Sequence, residues 1–289
     1  MDDVTGGPRL LLVGAGRVGT AVAALLQRAD WHVAGVISRS PAAAERAAAR
    51  FGSEVVTYRA APEADLYLLA VPDAAIAEVA TSLAPAVSER SLAVHLAGSL
   101  GTAPLAPLAD AGAAVAALHP VQACPDVDTA IARLPGSAWG VTCDPALAAR
   151  CNELIGALGG TPVHVGAAQR PLWHAAAVMT SNGIAALMAF GESLLASIGV
   201  ADPVTVLGPL AAGTVANARE GGGGGATLTG PVVRGEAETL RRHLDALRTA
   251  APDLVPGYRL AAQTILAAAA RNGRLPAGTE DEIAAVVNR

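Results

Sequence analysis

A predicted helix near residue 173 carries several polar side chains in an otherwise apolar sequence. The stretch WHAAAVMTSNGIAAL, residues 173–187, sets His174, Ser181 and Asn182 among Ala, Val, Met and Ile. At about 100° per residue, His174 and Ser181 share one stripe of the helix and Asn182 flanks it. The stripe predicts a proton donor, His174, beside two side chains that orient a substrate oxygen. The alternative is a buried helix whose hydroxyls bond back to the preceding turn.

A second histidine that could act as an acid lies where a predicted strand ends. AALHPVQAC places His119 at that point, and LAVHLAGSLG ends the preceding strand with His95 and Ser99. Carboxyl ends of parallel strands meet at one edge of a sheet, where ligands bind. His119 is therefore the second candidate acid, aimed by a turn at Pro120, and Ser99 is a candidate cofactor contact. A single histidine at such a place is more often a structural residue.

A turn near residue 230 offers a binding site for a carboxylate. TGPVVRG brings Thr229 and Arg234 just before a predicted helix, and Asn217 lies on the preceding helix. A helix N-terminus together with a guanidinium attracts a carboxylate. These three residues are therefore predicted to bind substrate. The alternative is a capped turn whose arginine forms a surface ion pair.

The N-terminal region contains a glycine pattern typical of dinucleotide binding. LLLVGAGRVGTAVAALL spaces Gly14, Gly16 and Gly19 as GxGxxG between a predicted strand and a predicted helix. In that context the first glycine allows a tight turn, the second admits a pyrophosphate and the third lets helix and strand pack closely. Arg17 and Val18, inside the motif, are predicted to contact the cofactor as well.

The end of the second predicted strand favours NADP over NAD. The sequence there is Ser38, Arg39 and Ser40, where an NAD site usually places Asp or Glu. Two hydroxyls and a guanidinium suit a 2′-phosphate. The alternative is that Arg39 is simply solvated. Val71 and Pro72, after the third predicted strand, are expected to line the same groove.

The elements that must position these residues fall into two regions. Residues 1–166 alternate strands and helices, which predicts an α/β fold: an NADP-binding Rossmann domain with a doubly wound, mostly parallel sheet. Strands are expected at Arg9–Val13, His32–Ser38, Asp65–Val71, Leu92–Leu96, Ala114–Leu118, Ala138–Cys143 and Pro162–Val165. Helices are expected at 18–28, 41–51, 75–83 and 145–158.

Residues 167–289 are predicted as an all-helical domain for substrate binding and dimerisation. Helical periodicity covers 169–198, 202–219, 235–250, 254–272 and 279–288, without a convincing strand. Five glycines at 221–225 interrupt the pattern and predict a mobile loop.

Composition removes several classes of function. All twenty basic side chains are Arg, so Schiff-base chemistry and a lysine proton donor are excluded. A net charge of −5 without a basic run disfavours a nucleic-acid partner. Three cysteines without a CxxC pattern disfavour a metal site or a disulfide. The acidic N-terminus and the lack of an apolar stretch of ~20 residues disfavour a secretion signal and a membrane partner. A cytoplasmic protein is expected.

Several motifs together resemble a known group of proteins. GAGRVG, LLAVPD, HLAGSLG, LHPVQ, HAAAVMTSN and TGPVVRG are similar to Rossmann-like proteins with a DUF2520 C-terminal domain. That group belongs to the 6-phosphogluconate dehydrogenase-like reductases, near ketopantoate and pyrroline-5-carboxylate reductases. The resemblance covers nearly the whole chain and implies NADP binding, a homodimer and, as the first guess for substrate, ketopantoate.

The chain departs from this group at the expected catalytic lysine. Related β-hydroxyacid dehydrogenases carry a lysine four residues before the asparagine that corresponds to Asn182, and Val178 occupies that position here. His174, His119 or water must then donate any proton. The pair His119-Pro120 also resembles the His-Pro of prephenate dehydrogenases.

These features support more than one function. The first hypothesis is an NADPH-dependent reductase of a small oxo acid. The second is an NADP(H)-binding sensor or partner-binding protein without turnover, which the missing lysine favours. Further alternatives are an imine reductase, which needs less proton donation, and an enzyme similar to prephenate dehydrogenase.

Overall fold

The computed structural model describes residues 7–288, and the chain divides into two compact units between Val178 and Met179. The first unit contains a seven-stranded sheet in the order β2-β1-β3-β4-β5-β6-β7. All neighbouring strands are parallel except β5 and β6. The strands are β1 (Arg9–Val13), β2 (His32–Ile37), β3 (Leu66–Leu69), β4 (Leu92–His95), β5 (Ala114–Pro120), β6 (Ala138–Cys143) and β7 (Thr161–His164).

Helices cover both faces of this sheet, so the predicted doubly wound Rossmann architecture is confirmed. They are α1 (Arg17–Arg28), α2 (Pro41–Phe51), α3 (Ile76–Leu83), α4 (Ala106–Asp110), α5 (Val127–Arg133) and α6 (Ala148–Ala157). In β1, Leu10 and Leu12 belong to a core with α1, α2, α5 and α6, whereas Leu11 and Val13 belong to a second core with α3 and α4. The continuous apolar run of β1 follows from burial on both faces.

Several element bounds differ from the sequence-based prediction. The third strand is shorter than predicted and covers only Leu66–Leu69. The two short helices α4 and α5 were not predicted. The fifth strand continues through Pro120, so the predicted turn at that proline is wrong. A proline is tolerated at a strand end because only one ladder hydrogen bond is lost there.

The second unit is helical. Its elements are the C-terminal part of α7 (Arg170–Ser197), then α8 (Pro203–Glu220), α9 (Gly224–Thr227), α10 (Ala237–Ala250), α11 (Val255–Arg271) and α12 (Glu280–Asn288). The glycine run is therefore not wholly a loop, because α9 begins at Gly224. The core of this unit joins α10, α11 and α12 through side chains such as Leu240, Leu266 and Ile283.

Helix α7 crosses the division between the two units, which falls between Val178 and Met179. The predicted domain boundary, after residue 166, lies before this helix begins. The segment Ala167–Ser197 has the length and the mean hydropathy, 1.2, of a possible membrane span. Its first turn argues against that role, because Arg170 is fully buried against backbone carbonyls of the first unit.

Candidate active site

The three motif glycines follow β1 and each meets a different requirement. Gly14 has φ +100°, and a Cβ there would lie 2.3 Å from the carbonyl oxygen of Ala70. Gly19 allows α1 to approach the chain just after β3, since a Cβ on Gly19 would lie 2.4 Å from the Cβ of Ala70. Gly16 precedes α1 and has open space where its Cβ would be. This opening at a helix N-terminus without an acidic residue in its first turn fits a pyrophosphate.

The polar residues after β2 lie at the same edge of the sheet as the glycine turn, because Gly14 donates its backbone N–H to Ile37. Ser38 is partly exposed, and Arg39 is exposed without an ion pair to another described residue. Ser40 is the N-cap of α2 and accepts a hydrogen bond from the N–H of Ala43. Its hydroxyl thus has a structural role in addition to the predicted cofactor contact.

Other predicted cofactor residues also lie at this edge. Val71 follows β3, and its side chain would be 3.1 Å from a Cβ on Gly14. Pro72 is exposed beside it. After β4, the Ser99 hydroxyl donates to the carboxylate of Asp73 at 3.4 Å, so the loops after β3 and β4 meet. Val18 belongs to the first turn of α1.

Arg17 also lies in the first turn of α1. Its guanidinium donates to the carbonyl of Pro125, 3.1 Å away, which attaches the start of the helix to the loop after β5. The predicted cofactor contact of Arg17 must therefore be compatible with this bond.

His95 is a structural residue. It is fully buried at the end of β4, and its Nδ1 accepts the backbone N–H of Ala97. Its Nε2 then donates to the carbonyl of Gly101 at 2.8 Å. Burial lowers the pKa of His95. Both ring nitrogens are occupied, so the imidazole fixes the loop that contains Gly98.

The two candidate acids, His119 and His174, are brought together around Gly98. Their ring centroids are 5.4 Å apart with an interplanar angle of 77°. A Cβ on Gly98 would lie 2.5 Å from the ring of His174 and 2.9 Å from Nε2 of His119. Trp173 donates its indole N–H to Nδ1 of His119 at 3.1 Å. Neither Trp173 nor Gly98 was singled out from the sequence, although Trp173 adjoins His174.

A buried arginine lies close to His119 and was not identified from the sequence. Arg170 is 0% exposed and donates to the backbone carbonyls of Ala97, Leu100 and Gly140. Burial lowers its pKa to about 10, so the guanidinium remains charged at neutral pH. The sequence offered one signal, because Arg170 precedes His174 by one helical turn.

The lowered pKa of His119 predicts that the stability of the protein depends on pH. Burial, followed by Arg170 and His174, lowers this pKa from 6.5 to about 4. Between these values the unfolded chain binds a proton that the folded protein does not, so stability falls as the pH falls. We expect His119 to account for a loss of about 2 kcal/mol between pH 7 and pH 5.

Urea unfolding of the wild type and of His119→Gln at both pH values measures this contribution. The variant should lack this part of the acid destabilisation. An equal loss of stability in the two proteins would contradict the assignment.

The remaining predicted residues belong to the second unit. Ser181 and Asn182 are exposed on α7, and Asn217 is exposed on α8. Thr229 is exposed in the predicted turn, where Gly230 has φ +100° and its carbonyl accepts the N–H of Arg234. Buried Val232 and Val233 anchor this turn.

Arg234 itself forms an exposed ion pair with Glu236. The surface ion pair, rather than a free guanidinium at the start of α10, is therefore the arrangement that the structure shows. A carboxylate ligand would have to compete with Glu236 for this side chain.

Comparison with known families accounts for both units. Residues 7–120 match a Rossmann-like domain, and residues 137–265 match DUF2520, a domain of unknown function. The chain joins a Rossmann-like domain to a DUF2520 domain. No curated protein is significantly similar to this chain in sequence.

Solved structures show the same fold as this chain. A Bacteroides fragilis protein provisionally classed as an NADP oxidoreductase has a TM-score of 0.74 at 24% identity, over 89% of this chain and 97% of its own. A Thermotoga maritima protein has a TM-score of 0.71 at 21% identity, over 91% of this chain and 98% of its own. A reductive aminase from Aspergillus terreus, solved with NADPH, has a TM-score of 0.59 at 19% identity, over 98% of this chain and 93% of its own.

Proposed function

We propose that this protein is an NADPH-dependent reductase of a small oxo acid, with ketopantoate as the first substrate to test. The observation that carries the proposal is the meeting of His119 and His174 around Gly98, at the same edge of the sheet as the glycine turn. The glycine turn follows β1, Gly98 follows β4 and His119 lies on β5. Strands β1, β3, β4 and β5 are consecutive and parallel in the sheet, so their carboxyl ends share this edge.

The described residues fit a dinucleotide. Gly16 leaves space for a pyrophosphate at the first N–H groups of α1, and Gly14 and Gly19 permit that arrangement. Arg39 with Ser38 would bind the 2′-phosphate of NADP, because no carboxylate lies beside them in the sequence to repel it. A reduced nicotinamide would supply a hydride to the carbonyl carbon.

The chain's own residues then handle the proton. As the carbonyl carbon is reduced, its oxygen takes one proton and the oxo acid becomes a hydroxy acid. His174 is the proposed donor, and its imidazole regains the proton from solvent. His119 has a pKa of about 4 and is neutral at pH 7, so we assign it a hydrogen bond to the oxygen. Contacts of Ser181, Asn182, Asn217, Thr229 and Arg234 with substrate remain predictions.

The first experiment follows the loss of NADPH absorbance with purified protein and a panel of small oxo acids, ketopantoate first. We expect saturable oxidation with one of them, and a loss of turnover of about 100-fold in His174→Ala. If His174→Ala and His119→Ala both retained wild-type turnover, the proposed roles of these imidazoles would be wrong. An imine acid in the same panel tests the imine reductase alternative.

The preference for NADP gives a separate prediction. We expect Arg39→Ala to raise the KM for NADPH by about tenfold, because a charge-assisted bond to the 2′-phosphate is lost. The KM for NADH should change little. Arg46→Ala, on the exposed part of α2, is the matched control and should leave both values unchanged. Equal effects on the two cofactors in Arg39→Ala would refute the proposed phosphate contact.

A sensor without turnover is the second candidate function. It is favoured by Val178, which stands where related dehydrogenases carry lysine. Tight NADPH binding with no oxidation across the whole panel would support it over the reductase.

We also propose a cytoplasmic homodimer. Met179 and Leu187 on α7 are 66% and 58% exposed, and Leu210 on α8 is 67% exposed. Large apolar side chains exposed on these two helices would be covered in a homodimer. The three cysteines are free, which fits a reducing compartment. Light scattering during gel filtration should give twice the chain mass, and a monomer mass would overturn the dimer.

A further inference from the structure

The hydrogen bond between Trp173 and His119 fixes which nitrogen of the histidine carries its proton. An indole N–H is only a donor, so Nδ1 of His119 must accept this bond and be unprotonated. A neutral imidazole has one N–H, which therefore lies on Nε2. The neutral form of His119 at pH 7 agrees with this assignment.

The sheet itself holds the donor and the acceptor in place. His119 on β5 pairs with Gly140 on the antiparallel strand β6. The indole of Trp173 packs on Gly140, where a Cβ would lie 2.7 Å from Nε1. A side chain at position 140 would therefore displace the donor from its acceptor.

The other nitrogen of His119 is free to act on a ligand. Nε2 has no hydrogen-bond partner among residues 7–288. It is not fully buried, unlike the unpaired polar atoms of Ser53, Trp139 and Arg259. It lies beside Gly98, where His174 also approaches. A directed N–H donor that faces accessible space is thus part of the candidate site.

We propose that Trp173 is a positioning residue that holds His119 as the Nε2–H tautomer, so that His119 donates a hydrogen bond to the carbonyl oxygen of the substrate. The proposal rests on the proposed reductase function for its substrate, whereas the tautomer itself does not. His174 remains the proton donor, so the bond from His119 orients and polarises the oxygen without breaking.

This donor selects between the two substrate classes that the sequence left open. A carbonyl oxygen has lone pairs that accept the Nε2–H, whereas the nitrogen of a protonated imine has none. The guanidinium of Arg170 adds a buried positive charge that forms no ion pair with another described residue. A cationic iminium is disfavoured beside this charge. The site therefore favours an oxo acid over an imine acid.

The tautomer is tested by nitrogen NMR of the uniformly ¹⁵N-labelled protein at pH 7, without substrate or cofactor. We expect an unprotonated Nδ1, a protonated Nε2 and a coupling across the hydrogen bond from the Trp173 indole to Nδ1. Trp173→Phe keeps the aromatic ring on Gly140 but removes the N–H, so the coupling must disappear. A protonated Nδ1 in the wild type would overturn the proposal.

The catalytic consequence is tested by steady-state kinetics with an oxo acid that the wild type reduces. We expect Trp173→Phe to lower kcat about tenfold with little change in KM, since orientation of the donor is lost. The same substitution should have no further effect in a His119→Ala background. His119→Gln, whose amide offers an N–H at a comparable distance from the backbone, should retain more activity than His119→Ala.

Failure of this proposal and failure of the proposed function give different results. If no substrate is reduced, the reductase function fails, and the NMR spectrum still decides whether Trp173 fixes the tautomer. Reduction of an imine acid faster than any oxo acid would overturn the substrate selection by His119. If the wild type is active and Trp173→Phe has an unchanged kcat, Trp173 only packs against its neighbours and the proposed positioning role is wrong.

Discussion

Gly98→Ala is expected to lower kcat about 100-fold with saturating NADPH and substrate, while the protein still folds. A displacement of reacting groups by about 1 Å has costs of this size. The new Cβ would lie 2.5 Å from His174 and 2.9 Å from Nε2 of His119. Both distances are shorter than a real Cβ contact, so the two rings must move apart. The neighbours are side chains, which can shift, so we expect a stability loss of only about 1–3 kcal/mol.

A matched control separates crowding at the site from a general effect of adding a methyl group. Gly156 lies in α6, and apart from its chain neighbours and the backbone of its own helix no atom lies within 4 Å of its Cβ position. Gly156→Ala should keep wild-type kcat and increase stability slightly, as alanine usually does in a helix. Thermal unfolding checks that Gly98→Ala is folded under assay conditions. Wild-type kcat in folded Gly98→Ala would remove the two imidazoles from the proposed mechanism.

The fold could be predicted from the sequence because its signals are local. The apolar run Leu10–Val13, followed by GxGxxG, is itself the strand and the turn, and the structure places β1 at Arg9–Val13. Alternation of strands and helices then gives a mostly parallel sheet without knowledge of any distant contact. The short helices α4 and α5 were missed because five and seven residues carry too little periodicity.

The candidate site was predictable only in part, because its geometry depends on contacts between distant residues. The two histidines were identified by their positions at a strand end and on a helix. Their approach to each other requires Gly98, which is 76 residues before His174 in the sequence. The predicted turn at Pro120 was wrong because pairing of β5 with β6 extends the strand. Trp173 was not singled out from the sequence, because its polar role depends on a hydrogen bond to His119, 54 residues earlier in the chain.

Arg170 was not identified for a different reason. Its removal is expected to lower the free energy of unfolding more than the other substitutions proposed here. An arginine at the start of an amphipathic helix is usually solvated, whereas this one is 0% exposed. Its lowered pKa corresponds to a desolvation cost of about 3 kcal/mol. Its three bonds to backbone carbonyls contribute about 1.5–3 kcal/mol each, since the donor is charged. The hydrogen bonds therefore outweigh the cost of burial.

We expect Arg170→Met to lower the free energy of unfolding by about 3 kcal/mol, because it leaves three carbonyls without a donor. Arg150→Met is the control: this partly exposed guanidinium also donates to two backbone carbonyls, of Asp65 and Arg90, which water can replace. It should cost less than about 1 kcal/mol. Urea unfolding at pH 7 compares the two variants, and equal losses would show that burial of Arg170 adds nothing to its contribution to stability.

Since Arg170 also lowers the pKa of His119, folded Arg170→Met should show a higher His119 pKa by NMR titration. The same buried charge would thus support the fold and, after burial itself, contribute to the low pKa that keeps the proposed hydrogen-bond donor neutral.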